Sequence, residues 1–525
     1  MQIQQNNFIR NSTFFLGLLV CLFFFGLNIT SFSLIYFPGD LGDARFNNYL
    51  LEHAHQFFCG NLSSFWNAPF MFPEKNMIAF SDNLLGSAPF YSIFRIFGQD
   101  RETSFQFWFL LMICLNYCSC YFLLKYLFKN PIAAILGAIV YSCSLALQSQ
   151  IGHAQTIPRF AIPIALWMGL LFIENLNPNY FFAMVFFVVF QIYCGIYLGF
   201  MLIIPVAFLV LSSFFVKRNL YLTKIKEFKW WRSILISLLL NSLILMPLIF
   251  PYIKRAELSG FYSYHEIVQN IPTIKSYFFS SPGTLFWVKL EHIADEYPSF
   301  WDHRLFPGGV ASISILIFFV VVIYRVYSKK NSLNTIILLF TCFFTFLFFI
   351  RVNEFSFYKL IFNIPGFGSM RALQRIINIE LIFYAIAVAF VFNLFFNTMK
   401  RWNQFILFIL VMCIIIIDNF SFANSTHRVE KSISQKRINN LICKMKNISK
   451  DGIISYEPDS MTSYSHEYQL DAMLASQSLS LKCLNGYSAT SPEGFSFYWN
   501  NPNEKNRNVW INLKQLPLKK INIIH

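Results

Sequence analysis

The sequence predicts an all-α polytopic membrane bundle of about eleven transmembrane helices, followed by a small C-terminal α/β domain. Three observations lead there. Of the 525 residues, 56% are hydrophobic and 13% charged, against about 25% charged in soluble domains. Apolar runs of about 20 residues, enough to cross roughly 30 Å of hydrocarbon, recur along the chain. Residues 423–525 lack such runs and alternate short strand-like stretches with turns.

The first apolar run, Thr13 to Phe37, follows a short polar start. No small-residue cleavage site follows it, so it reads as an uncleaved first span. Further spans fall near 104–126, 131–149, 160–174, 180–195, 197–215, 233–251, 308–327, 332–350, 376–397 and 404–422. The stretch 180–215 is too long for one helix and divides at Cys194-Gly195. With the N-terminus cytoplasmic, the basic clusters around Lys125, Lys217–Arg232, Arg325–Lys330 and Lys400–Arg401 all fall on one side. That is the distribution of retained cytoplasmic loops. It also explains the net charge of +15 without invoking nucleic acid. The long segments 38–103, 252–307 and 351–375, the short loop 150–159 and the tail then share the opposite face. The expected organisation is a bundle over 1–422 and an extracytoplasmic domain over 423–525.

Chemistry-bearing residues concentrate on that face. Asp40 and Asp43 sit in a glycine-containing turn directly after span one. From Asp43 onward, Phe46, Leu50, Leu51, Ala54, Phe57 and Phe58 recur at helical spacing, with Asn47, Glu52 and His55 opposite. This is an amphipathic helix lying along the interface. Asp43 either caps it or acts as a base poised near the membrane surface. Asp82 and Asn83 cap the next helix or bind substrate hydroxyls. Gln148, Gln150, His153, Gln155 and Arg159 crowd the loop between spans three and four. They form either a hydrated loop or a hydrogen-bonding wall, with Arg159 available for phosphate. Asp302, His303 and Arg304 close the second long loop, while Arg371 and Arg375 stand at i, i+4 where a helix enters the membrane. The last pair either anchors the helix by snorkelling or grips a phosphate.

The chain has no P-loop, HExxH, GxSxG or dinucleotide GxGxxG. Charge within the spans is sparse, chiefly Glu380 and Asp418, which argues against an ion-driven transporter. Cys443 and Cys483 fall in the tail, at a spacing that supports no disulfide.

The ordered segments GDLGDARFNNYLLEH, FWNAPFMFP, SDNLLGSAPFY, GHAQTIPRFAIP, HRLFPGG, MRALQRI and LNGYSATSPEGF resemble the GT-C superfamily of polytopic glycosyltransferases. That superfamily includes protein O-mannosyltransferases and aminoarabinose transferases, and the wording is closest to bacterial integral membrane proteins of this type. The resemblance implies a GT-C-like bundle in the bacterial cytoplasmic membrane. Its activity would be transfer of a sugar from a polyprenyl-phosphate-linked donor to a glycan, lipid or protein acceptor at the outer face, with inversion. It makes Asp43 the first choice for the catalytic base and Asp40 the second. It assigns substrate or phosphate contacts to His153, Gln155, Arg159, Asp302, His303, Arg304, Arg371 and Arg375. Several members carry a further carboxylate between spans three and four that helps hold a divalent metal; here His153 and its neighbours stand in that loop. Metal use is therefore open at this point. Two other readings stand beside this one, a non-enzymatic transporter or flippase and a catalytically inactive assembly partner of the same fold.

Overall fold

The computed structural model describes residues 13–260, 262–328, 332–422, 428–461 and 463–525. Lys329, Lys330 and the first residues of the tail, 423–427, lie outside the described residues.

Each expected span coincides with a helix. Among the described residues, eight are long and apolar enough to cross a membrane: Thr13–Thr30, Arg101–Phe128, Pro131–Gln148, Ala154–Asn175, Ile196–Val216, Phe228–Glu257, Gly309–Tyr327 and Leu373–Phe396. Shorter apolar helices occupy Pro178–Cys194, Leu333–Phe349 and Trp402–Asp418. Gly195, with extended backbone, breaks the long run where the sequence places the break. Two boundaries differ from expectation by seven residues or more. The first helix stops at Thr30, because the chain turns at Ser31 and leaves as strand β1 (Tyr36–Pro38). The helix expected to end at 251 runs on to Ser259, until Gly260 with φ +70 terminates it. That extension carries Tyr252 and Arg255 beyond the apolar run.

The helix Ile377–Phe396 is buried from Ile377 to Val391 and forms the centre of the bundle. Its neighbour, Pro131–Cys143, approaches closely at Gly137, where a Cβ would lie 2.5 Å from the Ala385 carbonyl oxygen. Small residues at such contacts let helix backbones pack where no hydrophobic drive acts between them. Asp418 ends its helix by accepting the Gly309 and Val310 N–H groups at 2.9 and 3.0 Å, so an intramembrane carboxylate caps the start of Gly309–Tyr327.

The long loops gather at one end of the bundle. The amphipathic helix forms as α1 (Asp43–Phe58), but it does not lie along an interface with a hydrated polar face. It is buried along most of its length between the bundle and the C-terminal segment. Its polar residues are paired instead. Asn47 donates to Gln155, Glu52 accepts from Tyr91 and Arg95, and the His53 ring meets the Phe65 carbonyl.

Residues 428–525 build the cover. Strand β2 (Arg428–Glu430) pairs antiparallel with β1, Tyr36 opposite Glu430 and Pro38 opposite Arg428. Strands β3 (Ile453–Tyr456), β4 (Lys482–Cys483) and β5 (Ile521–Ile524) form a parallel sheet in the order β4-β3-β5. Helix α2 (Ser465–Leu479) lies against both the sheet and α1. The first loop enters this unit as well: Phe72 N–H donates to the Cys483 carbonyl and Cys483 N–H to the Pro69 carbonyl. Gly486 fits there because a Cβ would meet the Met71 side chain at 2.2 Å.

A buried ion network fastens α1 to α2. Arg45, 1% exposed, reaches Asp471 at 2.6 Å, and Arg437 binds the other Asp471 oxygen at 2.7 Å and Glu467 at 2.8 Å. Removing one member of such a pair leaves a buried charge without its partner. Asp471→Ala is therefore expected to destabilise this end of the molecule by about 3–5 kcal/mol, read as earlier proteolysis of the C-terminal segment while the bundle stays inserted.

A charged cavity as the candidate active site

Where these parts meet lies a cavity of about 820 Å³. Its walls come from the start of α1, residues 79–82, the loop at 153–155, the start of Ile196–Val216, the extended end of Phe228–Ser259, Tyr262 and Asn270, Ser299 and Asp302, residues 365–375 and residues 487–499. All but the last of these belong to the bundle and its loops, and the last to the C-terminal segment.

Asp43 is the first residue of α1. One carboxylate oxygen meets His153 Nδ1 at 2.8 Å, and the other accepts the Tyr487 hydroxyl. The far nitrogen of His153, Nε2, lies 3.2 Å from an Asp302 oxygen. Asn47 Nδ2 donates to the Asp43 carbonyl at 2.7 Å and to Gln155 Oε1 at 2.8 Å, tying the start of α1 to the loop that carries His153. Asp43, His153 and Asp302 remain 20–28% exposed, all toward the cavity.

These contacts set the charges. Enclosure by protein would raise the Asp43 carboxyl, but the hydrogen bond and charge of His153, the Tyr487 hydroxyl and Arg375 outweigh it and hold it at about 2. Enclosure and Arg375 press His153 down, yet its hydrogen bonds to Asp302 and Asp43 lift it to about 9. Asp302 also ends below the ordinary carboxylate range: burial opposes this, and His153 prevails. The Tyr487 phenol is pushed up by burial and by Asp43, so it stays a hydrogen-bond donor.

Cations line the same cavity, and the Arg375 charge acts on Asp43, His153 and Asp302. The Arg375 guanidinium lies 5.4 Å from the Tyr197 ring centroid, and its Nε is buried without a partner among the described residues. Arg371 lies 6.0 Å from Tyr262, and Arg255 donates to Thr490 at 2.7 Å. Trp499 packs on Tyr487 with 5.1 Å between ring centroids.

The structure thus brings Asp43, His153, Gln155, Asp302, Arg371 and Arg375 to one cavity. It turns the other sequence candidates away. Asp40 spends a carboxylate oxygen on the Gly42 and Ala44 N–H groups, both at 3.1 Å, and so shapes the turn into α1 without lining the cavity. Arg159 is buried in the bundle, over Tyr141 and donating to its carbonyl, because a helix begins directly after it and draws its side chain inward. His303 follows Asp302 in a tight 3₁₀ turn and cannot point the same way. It is buried against Ser276 and the Gln269 carbonyl, and burial lowers it to about 4, leaving it neutral. Arg304 stacks over Phe279 and Phe300. Asp40→Asn should consequently be nearly silent in a transfer assay, since asparagine caps about as well as aspartate.

Sequence reasoning missed Tyr487, Thr490 and Trp499, and also Arg255. The first three come from a turn-rich stretch of the tail with no spacing that ties it to loop one. Arg255 arrives through a helix two turns longer than its apolar run. Asp82 lines the cavity and does cap a helix, although not the next one: it accepts the Ile196 N–H at 2.6 Å, 114 residues on.

A divalent metal does not fit this arrangement. The His153 ring fills the space between the Asp43 and Asp302 carboxylates, and Asp82 is engaged by a backbone N–H. Among the described residues, no group of three or more His, Cys, Asp or Glu side chains is placed to hold a metal ion.

Fold and cavity together define a multi-pass membrane protein with an enclosed charged site at one end of its bundle. Among the solved structures similar to this chain are two. One is the crystal structure of the Archaeoglobus fulgidus oligosaccharyltransferase in the apo form, at 13% identity and TM-score 0.48, covering 91% of this chain and 64% of that one. The other is the cryo-electron microscopy structure of the arabinofuranosyltransferase AftD from Mycobacteria, at 12% identity and TM-score 0.46, covering 85% of this chain and 29% of that one. The chain therefore spans less than two thirds of either neighbour's length. No protein-family model and no curated protein matches it.

Proposed function

We propose that the protein is an inverting membrane glycosyltransferase that uses a polyprenyl-phosphate-linked sugar, with Asp43 as the base. The observation that carries this reading is a single cavity lined both by an ionised carboxylate, Asp43, and by the guanidinium groups of Arg375, Arg371 and Arg255. Such a site suits a reaction in which an acceptor hydroxyl loses a proton while a phosphate leaves with negative charge. In this reading the acceptor O–H proton passes to Asp43, and the acceptor oxygen bonds to the sugar C1 from the face opposite the phosphate. The C1–O bond to phosphate breaks, and its electron pair leaves on the phosphate, which Arg375 and Arg371 receive. The Tyr487 hydroxyl occupies the Asp43 oxygen that the acceptor would use, so the acceptor displaces it. The positive-inside pattern supports placing this cavity at the outer face of the bacterial cytoplasmic membrane. The acceptor, in this reading, is a cell-envelope glycan, lipid or protein.

The test is release of polyprenyl phosphate by the purified full-length chain in nanodiscs. It is offered a panel of polyprenyl-phosphate sugars and membrane-extracted acceptor. At least one donor should be consumed only when acceptor is present; consumption of none would remove the transferase reading.

The pH dependence has a definite sign. Asp43, lowered from 3.8 to about 2, is ionised throughout the neutral range, so kcat/KM should show no acid limb near pH 5–6. His153, raised from 6.5 to about 9, keeps its proton until alkaline pH, and activity should fall as pH passes about 9. Stability follows the same linkage. The His153 contribution is complete below pH 6.5 and is lost as pH rises through about 9, whereas that of Asp43 is lost only as pH falls below 3.8 toward 2. Thermal unfolding across pH 6–10 checks the first of these, with His153→Gln expected to flatten the profile.

A further inference from the structure

The ring of His153 has a carboxylate on each side, Asp43 Oδ2 at 2.8 Å from Nδ1 and Asp302 Oδ1 at 3.2 Å from Nε2. Ionised carboxylate oxygens only accept hydrogen bonds, and a neutral imidazole carries a single N–H. A neutral ring would therefore set lone pair against lone pair on one side. Making both contacts together requires a proton on each nitrogen. The other charged or titratable groups around the ring are Arg375, Asp40 and Tyr487.

We propose that His153 is a built-in cation that joins Asp43 to Asp302 in the place of a divalent metal ion, so that the working site is metal-free. The geometry is specific on this point. Two oxygens sharing one magnesium ion lie at most about 4 Å apart, since each bond is about 2.0–2.1 Å. Here the two contacts leave the imidazole on opposite sides, and the ring with its two hydrogen bonds holds the carboxylates much farther apart than that. A metal could take the position only if the ring left and the loops closed in. The backbone that carries the ring is pinned: the main-chain N–H of His153 donates to the Gln150 carbonyl at 2.9 Å, and its carbonyl accepts from both the N–H and the hydroxyl of Thr156 at 2.9 Å. His153 acts through Asp43 and is thus a positioning residue, fixing the orientation of the base and neutralising one of two facing carboxylates.

This inference rests on the transferase reading for what Asp43 does, but its test has readouts that do not. Full-length protein in nanodiscs is titrated with Mn²⁺ alone and followed by electron paramagnetic resonance, wild type beside Asp43→Asn. No one-to-one Mn²⁺ binding is expected in the wild type. A single bound Mn²⁺ per chain that Asp43→Asn abolishes would overturn the proposal. In parallel, ¹⁵N-histidine spectra of wild type minus His153→Gln should show both ring nitrogens protonated at pH 7.5. A neutral tautomer there would also overturn it. Transfer, where a donor has been found, should survive EDTA unchanged; loss of transfer restored by Mg²⁺ would contradict the proposal. Failure to find any donor would count against the transferase reading alone, because the Mn²⁺ and ¹⁵N measurements still decide the state of His153.

Discussion

Asp43→Asn is expected to lower transfer by about 10³-fold or more while the protein inserts and folds normally, since a general base contributes roughly 10²–10⁴-fold. Asparagine keeps the shape of the side chain and can still accept from Tyr487 or His153, but it cannot take the acceptor's proton. The contrast with Asp40→Asn makes the result diagnostic. The two aspartates lie three residues apart in the same turn, yet one lines the cavity and the other does not, spending one carboxylate oxygen on backbone N–H groups. Transfer rates and size-exclusion profiles of both variants separate loss of chemistry from loss of fold. Equal loss in both would point to the turn and away from the base.

Arg375→Ala is the second large effect, expected at about 10²–10³-fold in kcat/KM, the usual cost of removing one donor to a developing anion. Arg375 is well suited to that part. It stands over Tyr197 with its Nε buried and without a partner among the described residues, and its charge helps lower Asp43 and Asp302 and opposes the rise that burial gives Asp82. Losing it should raise the pKa of the base only slightly, because the hydrogen bond and charge of His153 and the Tyr487 hydroxyl do more of the lowering, so the variant too should show no acid limb near pH 5–6. Arg375→Lys should recover part of the rate, because an ammonium supplies charge without the planar fork that matches phosphate. Arg371 is more exposed, and its loss should weaken binding more than turnover. Steady-state kinetics on donor concentration, with a pH profile for each variant, check all three statements.

What could be read from the sequence follows from which forces act locally. The spans were legible because hydrocarbon thickness dictates their length. The break at Gly195 and the helix starting at Asp43 were legible for the same kind of reason, a local backbone or periodicity signal. What covers α1 was not legible. An amphipathic pattern reports that one face is apolar, and it says nothing of Asn47, Glu52 and His53 finding partners in other loops. Nor can a sequence say which of two adjacent residues faces a cavity, and Asp302 and His303 diverge for that reason. The contact between Tyr487 and Asp43 joins residues 444 positions apart, through a sheet whose strands are two to four residues long. Such pairing leaves no periodic trace in the chain.

The central claim is that Asp43 does the chemistry of sugar transfer. The most direct measurement is mass spectrometry of cell-envelope glycans in a deletion strain complemented with wild type, Asp40→Asn or Asp43→Asn, each verified as inserted in the membrane. The account predicts that wild type and Asp40→Asn restore the same glycan and that Asp43→Asn leaves the deletion phenotype. Full restoration by Asp43→Asn, or identical glycans in every strain, would contradict it.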